Sequence, residues 1–152
     1  MNEDFRDFLQ ALLDAGVRFV VAGAHALAAH GAPRATGDLD VWIERSLPNA
    51  DRLWQALEAF GAPVEALGIS KSDFLESDRV VQIGVRPRRI DILTDLSGVE
   101  FEAAWADRVT ILLDDMELPF IGRDTLVRNK RATDRPRDRA DLESLGELAS
   151  DD

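Results

Sequence analysis

Two aspartates, Asp38 and Asp40, stand one residue apart in the segment 38–44, whose sequence is DLDVWIE. Apolar residues occupy alternate positions of this segment: Leu39, Val41 and Ile43. This period of two predicts a half-buried strand from which both carboxylates project on the same face. Because adjacent carboxylates repel each other, a hard cation such as Mg²⁺, which prefers carboxylate oxygens, would stabilise the pair. The alternative is a solvated pair that arises by chance, since the chain has 29 acidic residues.

A third aspartate, Asp91, lies inside the apolar run 89–93, whose sequence is RIDIL. A carboxylate within an apolar strand is costly unless it is paired or bound to a metal. Two interpretations therefore stay open at this point. Asp91 either joins the other two aspartates at a metal site or forms an ion pair with a nearby arginine, such as Arg89 or Arg34.

Other residues that could do chemistry give weaker signals. Gly23 closes the apolar run 18–22 and precedes an alanine-rich segment, so backbone N–H groups could approach an anion there, although many such glycines are simply turns. His25 and His30 are five residues apart, which is not the spacing of a helical zinc pair, and we interpret both as structural or surface residues. The chain has no cysteine and no Gly-x-Ser-x-Gly motif, so the sequence offers no thiol nucleophile, disulfide or serine elbow.

The elements that must position these residues follow from hydrophobic periodicity. The pattern predicts helices over residues 2–15, 25–30, 99–107, 124–132 and 136–149, and a further helix that begins at Pro48. It predicts strands over residues 18–22, 38–44, 80–85, 89–93, 109–113 and 118–121, and a loop with one short helix over 62–78. This order indicates one α/β (α+β) domain over residues 1–152, with a small mixed sheet that contains the first, second and fourth strands.

The segment 20–44, whose sequence is VVAGAHALAAHGAPRATGDLDVWIE, resembles the nucleotidyltransferase superfamily with the DNA polymerase β-like fold, in its minimal form. The family pattern is an apolar strand, a Gly-Gly or Gly-Ser pair, a short helix, Asp-x-Asp on the next strand and a third acidic residue on a later strand. The run 34–40 is similar to the branch that contains abortive-infection toxins of the AbiEii type. The tail 129–142, whose sequence is NKRATDRPRDRADL, resembles the C-terminal helices of the same branch.

This resemblance implies an enzyme that moves a nucleoside monophosphate from a triphosphate such as ATP to an acceptor hydroxyl of a protein, an RNA or a small molecule, with release of pyrophosphate. It implies two Mg²⁺ ions, with Mn²⁺ as an alternative, bound by the catalytic residues Asp38, Asp40 and Asp91. The nucleotide-binding residues that it implies are Gly23, Ala24, Arg34 and Lys130, although Lys130 could equally be a surface charge. Ala24 departs from the family pattern, since it offers no hydroxyl and its methyl group would crowd a triphosphate.

Composition sets limits on these interpretations. The net charge is -11, which disfavours an extended nucleic-acid surface and makes a carboxylate-metal nuclease the weaker alternative. No apolar run is long enough to span a membrane, and the acidic, amphipathic N-terminus is not that of a signal peptide, so we expect a cytoplasmic protein. A different class of function also stays open, namely an inactive binding module such as one component of a toxin–antitoxin pair.

Overall fold

The computed structural model describes residues 1–32 and 37–147. The helices are α1 (Glu3–Asp14), α2 (Gly23–Ala29), α3 (Leu47–Phe60), α4 (Val64–Leu67), α5 (Phe101–Asp107), α6 (Arg123–Thr133) and α7 (Pro136–Ser144), with a 3₁₀ helix at Lys71–Leu75. The strands are β1 (Phe19–Ala22), β2 (Leu39–Ile43), β3 (Val80–Ile83), β4 (Ile90–Leu93), β5 (Val109–Leu113) and β6 (Met116–Phe120). The predicted order of elements is confirmed, and the segment 62–78 holds α4 and the 3₁₀ helix instead of one short helix.

All six strands form one mixed sheet in the order β3-β4-β2-β1-β6-β5. The central strand β1 runs antiparallel to β2 and parallel to β6, while β2 runs parallel to β4. The outer strands β3 and β5 are antiparallel to β4 and β6. The predicted mixed sheet is thus confirmed, and so is the prediction that β1 and β2 are neighbours joined by a short helix.

The amphipathic helix α1 shows how the sequence forms the outer layer of this fold. Its apolar positions Phe5, Phe8, Leu9 and Leu12 are all buried in the core, as their helical spacing requires. The Asn2 side chain caps the helix by accepting a hydrogen bond of 2.8 Å from the backbone N–H of Phe5, which satisfies one of the free donors of the first turn.

Strand β2 differs from its prediction. The alternation of apolar residues predicts a half-buried strand, but Trp42 is only 1% exposed, and Leu39, Val41 and Ile43 are buried as well. The indole ring of Trp42 packs edge-on against Phe101 of α5, with 5.2 Å between the ring centroids. Helix α5 therefore helps to cover the sheet face on which the aspartates lie. This packing depends on a distant helix, which local alternation does not report.

Buried Asn49 ties the two central strands together. Its amide nitrogen donates to the backbone oxygens of Arg18 and Glu44 at 3.0 and 2.9 Å, and its side-chain oxygen accepts from the backbone N–H of Arg18 at 2.8 Å. The beginning of β1 and the end of β2 are thus held together at one point. Within the described residues, no helix has the length and apolar character needed to cross a membrane.

Candidate active site

The three predicted aspartates lie on one wall of a cleft. Asp40 of β2 stands directly opposite Asp91 of the parallel strand β4, and Asp38 lies two residues before Asp40 on the same face. All three side chains line a cleft of about 450 Å³, together with residues of the β1–α2 junction, β3 and helix α6. The parallel pairing of β2 with β4 therefore brings together carboxylates that are about 50 residues apart in sequence.

Gly23, at the junction of β1 and α2, lines the same cleft. Its φ angle is +67°, a conformation that glycine adopts without strain. A Cβ atom at this position would lie 2.1 Å from Oδ2 of Asp40, so only glycine permits the close approach of the backbone to that carboxylate. The neighbouring Ala24 also lines the cleft but is only 7% exposed, and its methyl group consequently presents little surface to a ligand.

Arg89 joins two of the three carboxylates. Its Nε and Nη2 atoms donate to the two oxygens of Asp91 at 2.7 and 3.1 Å, and its Nη2 atom lies 3.4 Å from Oδ2 of Asp38. Arg89 and Asp91 are two residues apart at the start of β4, so their side chains share one face. The ion pair with Arg89, one of the two interpretations left open by the sequence, is thus present in the structure.

Asp40 differs from its two neighbours in its protonation behaviour. Burial, followed by the negative charges of Asp91 and Asp38, raises the pKa of Asp40 to about 6, although Arg89 and Lys130 oppose the shift. A carboxyl group whose charge is unfavourable at neutral pH has a strong electrostatic reason to attract a cation. A perturbed acid inside a cleft is also typical of functional sites.

Lys130 of α6 also lines the cleft. It is only 7% exposed, so the interpretation of Lys130 as a surface charge is wrong. Its Nζ atom lies 3.1 Å from Oδ2 of Asp141 and 3.5 Å from Oδ1 of Asp138, both of which are buried on α7. A buried lysine requires such partners, and periodicity could not reveal them because they belong to the next helix.

Three further arginines at the cleft were not singled out by sequence reasoning: Arg86, Arg135 and Arg137. Nε of Arg86 lies 3.2 Å from Oδ2 of Asp38, and its side chain is largely exposed. The sequence contains a signal for the first of them, the basic run 86–89 beside Asp91, and the other two lie in the tail 129–142. Arg34 falls outside the described residues.

The two histidines have structural surroundings, as predicted. Nε2 of His30 lies 2.8 Å from the backbone oxygen of Ile121, which links α2 to the end of β6. His25 packs edge-on against Phe5. Burial lowers the pKa of His25 despite a hydrogen bond with the backbone of Asp38, so His25 braces the entry to β2 as a neutral ring.

The donor types at the cleft fit a hard cation, since three carboxylates on adjoining positions are what Mg²⁺ and Mn²⁺ prefer. Their present arrangement is set by arginine, and within residues 1–32 and 37–147 no three acidic or histidine side chains stand so as to enclose a metal ion. An ion shared by the three carboxylates would have to replace the Arg89 contacts that now hold Asp38 and Asp91.

Comparison with known proteins supports the fold assignment at the level of structure alone. No protein-family model matches the chain, and no curated protein matches it in sequence. Among solved structures, a candidate nucleotidyltransferase from Thermotoga maritima (TM1012) is similar over 91% of this chain and 88% of its own, with a TM-score of 0.59 and 14% identity. The antibiotic-resistance factor ANT(2'')-Ia is similar over 94% of this chain and 79% of its own, with a TM-score of 0.52 and 15% identity. The chain therefore has the nucleotidyltransferase fold.

Proposed function

We propose that this protein transfers a nucleoside monophosphate from a nucleoside triphosphate to an acceptor hydroxyl, with release of pyrophosphate. One observation carries the proposal. Three carboxylates from the adjoining strands β2 and β4 line one cleft with the cationic side chains of Arg89 and Lys130. Transfer between phosphates and hydroxyls needs charge neutralisation and alignment more than covalent help, and this cleft offers both signs of charge at close range.

Asp38, Asp40 and Asp91 would hold Mg²⁺, and two ions, or Mn²⁺ in their place, suit this number of carboxylates. When bound, the metal supplies charge neutralisation for the triphosphate and for the leaving pyrophosphate. The protein's own part is to keep the three carboxylates on one rigid wall. The direct pairing of β2 with β4 does so, and Gly23 allows the backbone to approach Asp40.

The cationic residues of the cleft are suited to hold the phosphates. Lys130 enters from α6 with its ammonium group already paired with Asp138 and Asp141, so a phosphate would share that ammonium group with these carboxylates. Arg89 would exchange its contacts with Asp38 and Asp91 for contacts with a phosphate when metal binds, because guanidinium groups bind phosphate oxygens in a bidentate manner. We propose the same role for Arg34 on the basis of sequence alone.

The acceptor could be a protein hydroxyl, an RNA end or a small molecule, and the tail 129–142 favours the branch that includes abortive-infection toxins. Incubation with each of the four triphosphates, labelled at the α-phosphate, in a cell lysate with Mg²⁺ or Mn²⁺ tests activity and reports acceptor size. We expect label on an acceptor with the α-labelled triphosphate and none with the γ-labelled one. Asp40→Asn should abolish transfer, while the matched substitution Asp7→Asn on the exposed face of α1 should not.

Label that appears only from the γ-phosphate would indicate a kinase-like reaction and contradict the proposal. No transfer from any triphosphate, combined with no binding of Mg²⁺ and triphosphate, would also contradict it. Binding can be followed independently of activity as a rise in melting temperature, because a ligand of the folded state stabilises that state.

A second candidate function is that of an inactive binding module, for example one component of a toxin–antitoxin pair. A specific observation favours it, because Arg89 forms an ion pair with Asp91 and lies 3.4 Å from Oδ2 of Asp38, so that one guanidinium group engages two of the three carboxylates. Ala24, which lacks the hydroxyl of the serine in the Gly-Ser form of the family pattern, points the same way. For this function we expect Mg²⁺ and a triphosphate, added together, to leave the melting temperature unchanged. A joint rise would favour the transferase.

A further inference from the structure

The strand β5 forms one outer edge of the sheet, and two of its three exposed residues are apolar. In the part of the chain that the structure describes, β6 is its one hydrogen-bonded neighbour. Val109 is 37% exposed and Leu112 is 68% exposed, and none of the five residues of β5 is charged. Natural sheets usually protect such edges with a charge, a proline or a bulge, because an open edge can pair with another strand.

The register of the β5–β6 hairpin shows which backbone groups of β5 face outwards. The two-residue turn at Asp114 and Asp115 has positive φ at both positions, as in a type I′ hairpin, in which the flanking residues Leu113 and Met116 form a hydrogen-bonded pair. Alternation along the antiparallel ladder then directs the N–H and C=O groups of Thr110 and Leu112 to the open edge. Pro119, which has no N–H group, lies opposite Thr110, as this assignment requires.

We propose that two copies of this protein associate through β5, antiparallel about a two-fold axis at Ile111, so that their sheets become continuous. In this arrangement Thr110 lies opposite Leu112 of the second copy. Both residues present outward N–H and C=O groups, and the symmetric pair of contacts forms four backbone hydrogen bonds. The interface is isologous, since the same strand serves on both sides.

Charge complementarity selects this register and a second copy as the occupant. Arg108 and Asp114 flank β5 directly, and each of them is three positions from Ile111, with two residues in between. Antiparallel pairing about Ile111 therefore brings each Arg108 beside an Asp114 of the other copy, just beyond the ends of the paired strands, and opposite charges at such close range attract each other. With the axis at Thr110 or Leu112, Arg108 would instead face Leu112 or Met116. The strand is thus complementary to itself in one register.

The proposed interface is independent of the candidate active site. The described residues that line the cleft belong to β1, α2, β2, β3, β4, α6, α7 and the segments next to them, and none belongs to β5 or β6. Evidence against the dimer would therefore not contradict the proposed transferase activity, and evidence against that activity would not contradict the dimer.

Sedimentation equilibrium of the full chain, from low micromolar to near-millimolar concentration, tests association. We expect a monomer–dimer equilibrium whose dissociation constant rises at least about tenfold in Leu112→Lys, because a lysine on an edge strand opposes pairing. Thr110→Pro removes one outward N–H group without removing a bond to β6 and should have the same effect. The matched control Val80→Lys, at an exposed position on the opposite edge strand β3, should leave the dissociation constant unchanged.

A cross-link tests the register. The chain has no cysteine, so Ile111→Cys introduces the sole thiol. Opposite residues of a non-hydrogen-bonded antiparallel pair lie close enough for a disulfide, so oxidation should yield a covalent dimer, while Val80→Cys should form no covalent dimer. Circular dichroism verifies that each variant is folded. A protein that is monomeric at every concentration, a dimer that survives both β5 substitutions, or a dimer in which Ile111→Cys does not cross-link would each overturn the proposal.

Discussion

Asp38, Asp40 and Asp91 share one wall of the cleft but differ in their cationic contacts. Arg89 holds Asp91 through two hydrogen bonds and lies at the margin of contact with Asp38. Asp40 is instead affected most by its burial and by the negative charges of Asp91 and Asp38, which raise the pKa of Asp40 to about 6. Neutral substitution of the three aspartates should therefore have different effects on stability.

For Asp40→Asn we expect a more stable protein above pH 6 in the presence of a chelator. The pKa of Asp40 is higher in the folded state than in the unfolded chain. The unfolding free energy of the wild-type protein therefore falls as the pH rises from about 4 to about 6. The difference in unfolding free energy should grow from near zero at pH 4 to about 2–3 kcal/mol at pH 7. Thermal or urea unfolding across this pH range measures it.

The exposed-site variant Asp7→Asn, compared under the same conditions, controls for the change in net charge. If Asp40→Asn is destabilised at pH 7, or if its difference from the wild type does not change between pH 4 and pH 7, then Asp40 has a structural role and is not a strained ligand.

For Asp91→Asn we expect the opposite sign. The asparagine leaves the guanidinium of Arg89 without its bidentate carboxylate in a partly buried position, and loss of a charged hydrogen bond of this kind is destabilising. The melting temperature in chelator should fall by roughly 5 °C. The double variant Arg89→Gln with Asp91→Asn should recover part of that loss, and a double variant no more stable than Asp91→Asn would show that the ion pair contributes little.

At the scale of elements, the corner between α6 and α7 sets the position of Lys130. Asp138, fully buried at the start of α7, accepts hydrogen bonds from the backbone and guanidinium of Arg135 and from the Thr133 hydroxyl. Burial raises the pKa of Asp138, but these bonds and the charge of Lys130 outweigh it and hold that pKa far below its usual range. The carboxylate thus caps one helix and pairs with a lysine of the other.

We expect Asp138→Asn to lower the unfolding free energy by about 3 kcal/mol at pH 7. The substitution removes the negative charge that pairs with the buried ammonium group of Lys130 and that accepts the capping hydrogen bonds at the start of α7. The depressed pKa of Asp138 means that its contribution is present above about pH 4 and is lost as the pH falls below that value. The gap between variant and wild type should consequently shrink below pH 4, as urea unfolding can show. Asp134→Asn, which removes an exposed pair with Arg139, is the matched control and should have little effect.

At the scale of the whole molecule, the protein has a net charge of -11, although several cationic side chains line its cleft. Salt of any kind should stabilise such a protein to some degree by screening self-repulsion. Mg²⁺ at millimolar concentration should add a further rise in melting temperature of roughly 5 °C over NaCl of equal ionic strength. Asp40→Asn should lose only that additional rise. Equal effects of Mg²⁺ and NaCl on the wild type would mean that the carboxylates hold no metal.

The sequence by itself determined the elements of the sheet and the identity of the three aspartates. Helical and strand periods follow from local hydrophobic spacing, which the folded chain must bury, so α1, β1 and β4 formed close to their predicted positions. The alternation in β2 placed Asp38 and Asp40 on one face, and the apolar surroundings of Asp91 indicated that its charge needed a partner. These are properties of neighbours in sequence.

Only the tertiary structure decided which partners those residues have. Burial of Trp42 depends on Phe101 of α5, and burial of Lys130 depends on Asp138 and Asp141 of α7. The choice between metal and arginine at Asp91 likewise depends on the pairing of β4 with β2, which brings Asp38 and Asp40 beside Arg89. Burial and electrostatic energy depend on the distances between atoms in the folded protein. Spacing along the chain predicts such distances only for residues of the same helix or strand.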